Sequence, residues 1–72
     1  MRIRYDPTVD ALYIRLREGT IEESDEVASG VVLDIGTDGK LMGIEILAAS
    51  QILGGREMKV ELAIAAEAPV DR

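Results

Sequence analysis

Asp34, Asp38, Gly39 and Glu45 fall at positions one, five, six and twelve of the EF-hand calcium-loop pattern, the strongest metal-binding match in the sequence. Position three is Gly36, which brings no side-chain ligand, and both flanks alternate with period two where an EF-hand needs helices. A hairpin pairing Leu33 with Met42 holds Asp34 and Glu45 ~13 Å apart along the strands, too far to share one ion. The expectation is therefore a hairpin turn with outward carboxylates, and no metal or other cofactor.

A second constellation is basic. Arg2, Arg4, Arg15 and Arg17 all alternate with apolar residues. Antiparallel pairing of their two segments gathers them on one face, a possible anion-binding surface for phosphate or RNA, with Arg4 placed to lie against Tyr13. The plainer expectation is that they neutralise Asp34 and Glu45 on the same outer face. A third possibility is paired-carboxylate catalysis by Asp6 and Asp10, which needs a pocket that separates two carboxyl pKa values. With no phenylalanine or tryptophan and only two tyrosines, nothing in the sequence builds that pocket. Asp6 as a turn former and Asp10 as a strand opener account for both. Ser24, Ser29 and Ser50 have no histidine to activate them, because the chain has none, and Gly54-Gly55 lacks the spacing of a phosphate loop. The expectation is a non-enzyme.

The elements that must position these groups follow from alternation. Ile3 and Tyr5 alternate with Arg2 and Arg4 as a first strand, and Asp6-Pro7 turns the chain. Leu12, Ile14 and Leu16 share one face of a second strand. The segment 18–30 holds Glu18, Glu22, Glu23, Asp25 and Glu26 and no base, and reads as a solvated loop pinned by Ile21 and Val27. Val31, Leu33 and Ile35, then Met42, Ile44 and Ile46, give two further strands joined by a turn over residues 36–39. Residues 48–53 form a short helix ended by Gly54-Gly55. Met58, Val60, Leu62 and Ile64 continue the alternation and favour an added strand within 54–64, although the strong helix formers of REMKVELAIAAEA leave a helix open, with 65–72 as a loose tail.

The fold class expected is α+β, mostly β: one domain with an antiparallel sheet of four to five strands and one short helix. Such a chain of 72 residues has little core to spare, and without cysteine or histidine it has neither a disulfide nor a common zinc site to support it. Five strands ~4.8 Å apart and ~20 Å long expose an apolar face on the order of 480 Å². A six-residue helix ~9 Å long hides about a fifth of it. Either the sheet curls strongly on itself or a second copy covers the rest, and a homodimer, which also supplies the missing support, is expected.

The run YDPTVDALYIRL, then GVVLDIGTDGKLMGIEIL and AASQIL, resembles the prokaryotic domain-of-unknown-function family DUF2283, whose members read YDP-x-x-D-x-LYI-x-L and later GIEIL-x-AS. The likeness covers residues 1–53. It implies a small β-rich fold and no established activity. The position before Ala49 is usually Asp or Asn in such proteins and is Ala48 here, so a helix N-cap worth ~1 kcal/mol is expected to be missing.

Net charge is −6, which repels nucleic acid and anionic membrane and favours basic partners. No apolar run is long enough to span a membrane and MRIRYDP has no signal-peptide core, so a cytoplasmic protein is expected by default. The functional expectation is a dimeric binding module. Its alternative is an antitoxin-like acidic partner of a basic protein, using Glu22, Glu23, Asp25 and Glu26. A nucleic-acid contact through Arg2, Arg4, Arg15 and Arg17 is the weaker alternative.

Overall fold

The computed structural model describes residues 1–55 and 57–66. Five strands precede one helix: β1 (Arg2–Asp6), β2 (Ala11–Arg15), β3 (Ile21–Ala28), β4 (Val31–Gly36), β5 (Leu41–Ile46) and α1 (Ala49–Ile52). They form a single sheet in the order β1-β2-β5-β4-β3, with every neighbouring pair antiparallel. The expected mostly β architecture with one short helix is what the chain adopts.

Local chemistry explains the turns. Asp6 Oδ1 accepts hydrogen bonds from the Thr8 backbone N–H at 2.9 Å and the Thr8 hydroxyl at 2.6 Å, closing the β1–β2 turn around Pro7. Between β4 and β5, Gly39 N–H donates to Gly36 O at 2.9 Å and Asp38 Oδ1 accepts from Lys40 N–H at 3.0 Å. The helix stops because Gly54 takes φ +82°, a left-handed conformation cheap only for glycine, which lets Gly55 N–H reach back to Ser50 O at 2.6 Å.

Three expectations need correction. Residues 21–28 are a strand, not a solvated loop. All eight are exposed, so no apolar face marks them. The strand exists because β4 offers a backbone edge, and a charged outer strand suits a sheet margin, where acids deter pairing with stray chains. Register slips on either side of Glu22 and of Val27 bend it, and Val27, 53% exposed, pins nothing. Second, β4 and β5 pair Leu33 with Ile44, not with Met42. The turn sets Gly36 N–H on Lys40 O, and a further slip between Asp34 and Ile35 advances the register. Third, described residues 57–66 carry no regular secondary structure where an added strand was expected. Alternation alone makes no strand; the backbone must also find an edge to pair with. Arg56 and residues 67–72, most of the expected loose tail, lie outside the described residues.

Cross-strand pairs Leu12–Ile46, Ile14–Ile44, Leu33–Ile44 and Val31–Ile46 put the aliphatic side chains on one face. Among the described residues only Leu12, Met42 and Ala49 are buried hydrophobics, and Ile14, Val31, Leu33, Ile44 and Ile46 are half-buried. Leu53, Met58 and Val60 border a cleft over Ile3, Leu12 and Ile14, so the C-terminal segment shades only the β1–β2 end of this face.

Candidate functional site

The opposite face carries the polar chemistry. The register sets Arg4 against Tyr13, Tyr13 against Glu45, Glu45 against Val32 and Val32 against Glu26 in one row. The next row runs Arg2, Arg15, Gly43, Asp34 and Ser24. Gly43 clears the space over which Tyr13 leans, since a Cβ there would sit 2.6 Å from the tyrosine Oη.

Tyr13 is the hub. Its hydroxyl donates to Asp34 Oδ2 at 3.0 Å and accepts from Arg15 Nη1 at 3.1 Å. Ser24 Oγ donates to Asp34 Oδ1 at 2.6 Å. Both oxygens of Asp34, only 3% exposed, are thus satisfied by neutral hydroxyls in place of a direct cation. Arg15 is itself tied down, donating from Nε to Arg17 O at 2.9 Å and from Nη2 to Gly19 O at 2.7 Å. Burial pushes the Glu45 carboxyl above its ordinary value, and the neighbouring charge of Asp34 and a hydrogen bond to it push the same way.

Asp34 and Glu45 were expected ~13 Å apart on the outer surface. Asp34 is buried and the two residues are diagonal neighbours on one face, a direct consequence of the register correction. Among the described residues no three His, Cys, Asp or Glu side chains are grouped to hold a metal ion.

Arg2, Arg4 and Arg15 do share this face, but they are not neutralised by Asp34 and Glu45 directly. Glu18 lies 3.1 Å from Arg2 and 3.9 Å from Arg15, while Arg17, beyond the end of β2, contacts Asp38 at 2.6 Å. The Arg17 hydrogen bond holds the Asp38 carboxyl below the usual carboxylate range. Arg4 has no ion pair among the described residues. The acidic residues Glu22, Glu23, Asp25 and Glu26 all stand exposed on β3, whose outer edge is unpaired in the sheet.

Asp6 and Asp10 are engaged in different hydrogen bonds. Asp6 serves its turn. Asp10 is more than a strand opener: it accepts the Tyr5 hydroxyl at 2.6 Å and two bonds from Ser50, so it caps α1 from a distant turn. Sequence reasoning missed Tyr13 and Ser24 as partners of Asp34. The one available signal was Gly43, a glycine inside a strand pattern, which marks a close approach.

Fold and site together define a small antiparallel β-sheet protein with one polar, hydrogen-bonded face, one under-covered aliphatic face and a remotely capped helix. The chain belongs to the family described as "Protein of unknown function (DUF2283)", whose sequence model matches residues 2–50, from β1 through Ser50. No curated protein and no solved structure gives a significant match. Among the described residues no helix is long and apolar enough to cross a membrane.

Proposed function

We propose that this protein is a non-enzymatic interaction module that works as a homodimer, two copies covering each other's aliphatic sheet faces. The observation that carries this is the thin core. Only Leu12, Met42 and Ala49 are buried hydrophobics among the described residues, while Ile3, Ile52 and Leu53 remain 45%, 46% and 48% exposed on or beside that face. A face of that kind is costly in water, and a second copy offers the matching surface. On the polar face the Tyr13, Ser24, Asp34 and Arg15 side chains are tied into one network, a structural use that supports reading them as part of the scaffold.

Light scattering on the full chain at tens of micromolar tests the dimer. A particle of twice 7.8 kDa is expected, and Ile44→Lys should shift it toward 7.8 kDa. Circular dichroism on both proteins keeps the test clean, since a variant that loses its β signal is replaced by the milder Ile3→Lys at the exposed rim. A wild-type particle of one chain overturns the reading.

A second reading is favoured by one feature of β3. The strand is fully exposed, lies at the sheet margin and carries Glu22, Glu23, Asp25 and Glu26. An antitoxin-like role, in which a basic protein is neutralised on this edge, would use both its charge and its open backbone groups. Capture of a basic protein that is lost when the four acids become Gln or Asn supports this reading. Equal capture by the neutral variant removes it.

A further inference from the structure

We infer that residues 58–64 form an exchanged arm, which leaves its own sheet and packs alternate apolar side chains on the aliphatic face of a second copy. The inference rests on the homodimer reading and assigns the segment that completes it.

The arm departs progressively from its own chain. Met58 is half-buried beside Ile3, Leu12 and Ile14, whereas Val60 is 63% exposed, Leu62 85% and Ile64 94%. These residues alternate with Lys59, Glu61 and Ala63, a pattern suited to a contact that is greasy on one side and wet on the other. The arm's own chain engages only the start of that pattern, at Met58 and Val60, and leaves Leu62 and Ile64 exposed.

A receiver of the right chemistry exists. Leu33 and Ile44 are cross-strand partners in mid-sheet, flanked by Val31 and Ile46, all half-buried and all outside the cleft that the arm borders in its own chain. An extended segment from Met58 to Ile64 spans ~20 Å, about the length of the strands on which it would lie. Size points the same way. A stable interface hides ~800 Å² of accessible surface per partner, and two arms add their own apolar side chains to what the sheet faces bury. Two-fold symmetry makes the exchange reciprocal and closed, which limits it to a dimer.

The chain has no cysteine, so single-cysteine full-length variants give an unambiguous test. Leu62→Cys and Ile44→Cys proteins are refolded as a mixture and oxidised, so any mixed disulfide is necessarily between chains. At least tenfold faster formation of the mixed species is expected than with Glu61→Cys in place of Leu62→Cys. Leu62→Asp combined with Ile64→Asp should weaken dimerisation at least tenfold with an unchanged β signal. Equal cross-linking from positions 61 and 62 in a protein that light scattering finds dimeric overturns the arm and leaves the dimer. A single-chain particle overturns both.

Discussion

Asp10 and Ser50, 40 residues apart, hold each other through two hydrogen bonds: the Ser50 N–H donates to Asp10 Oδ1 at 3.0 Å and its hydroxyl to Oδ2 at 2.6 Å. The Asp10 carbonyl also accepts from Ala49 N–H at 2.9 Å, and Tyr5 donates to Oδ1. A turn between β1 and β2 thereby supplies the N-terminal cap that α1 lacks locally, welding the helix to the sheet.

Asp10→Ala should therefore cost ~2–3 kcal/mol in urea unfolding, because it strips partners from the helix end and from Tyr5 and places alanine where Asp10 takes a left-handed φ of 53°. Ser50→Ala, which keeps its N–H, should cost ~1 kcal/mol, and the double variant should cost less than the sum by at least ~0.5 kcal/mol. Asp10→Asn retains an acceptor and tolerates the backbone, so it should be the mildest Asp10 change. Strict additivity would show that the two residues do not act as one cap.

Ala48 has φ 49° and ψ 47° and no side-chain hydrogen bond to the helix. Its missing cap was expected to weaken α1, but Asp10 takes over the hydrogen-bonding part of that task, leaving the backbone cost at Ala48 itself. Left-handed geometry disfavours alanine by ~1 kcal/mol and suits Asn or Gly. Ala48→Asn should raise the urea midpoint by the equivalent of ~0.5–1 kcal/mol, with Ala48→Gly giving a smaller gain. A loss of stability with both would place the left-handed turn elsewhere.

Glu45 makes stability depend on pH in a defined direction. Its folded pKa is raised by burial first and by Asp34 second, so its favourable contribution is complete below the unfolded pKa and disappears as pH climbs through the folded one. Glu45→Gln keeps a neutral donor toward Asp34 at every pH. The stability difference between variant and wild type should be near zero in acid and grow in favour of the variant toward neutrality. Asp6 and Asp38, whose carboxyls are lowered by Thr8 and Arg17 respectively, are common to both proteins and cancel in that difference. Urea midpoints from pH 4 to 8 read it, and a pH-independent gap would sink the coupling.

Legibility in the sequence followed the reach of each interaction. Ile3, Leu12, Ile14, Leu33 and Ile44 declared their strands because one buried face imposes period two, and Asp6-Pro7 and Asp38-Gly39 declared turns because their requirements are local. β3 was illegible because an edge strand is held by backbone bonds to β4, which Glu22, Glu23, Asp25 and Glu26 neither help nor advertise. The closeness of Asp34 and Glu45 was hidden by the register, which the turn pairing of Gly36 with Lys40 and the slip at Ile35 set together. Asp10 capping Ser50 is a tertiary fact with no local trace.

Gly43 lies under the Tyr13 ring, and an added Cβ would come 2.6 Å from Oη and 3.0 Å from Cζ. An untethered tyrosine would swing aside at little cost, but this hydroxyl is held by Asp34 and Arg15 at once. Gly43→Ala should therefore break the Tyr13–Asp34 hydrogen bond and leave a buried carboxylate short of one donor, a loss of ~1–3 kcal/mol. Tyr13→Phe removes the same bond without the clash and should cost ~1–2 kcal/mol. With the hydroxyl gone the ring is free to move, so Gly43→Ala should cost less in the Tyr13→Phe background than in wild type. An equal cost in both backgrounds would mean that Gly43 is needed for the β5 backbone and not for the hydrogen bond above it.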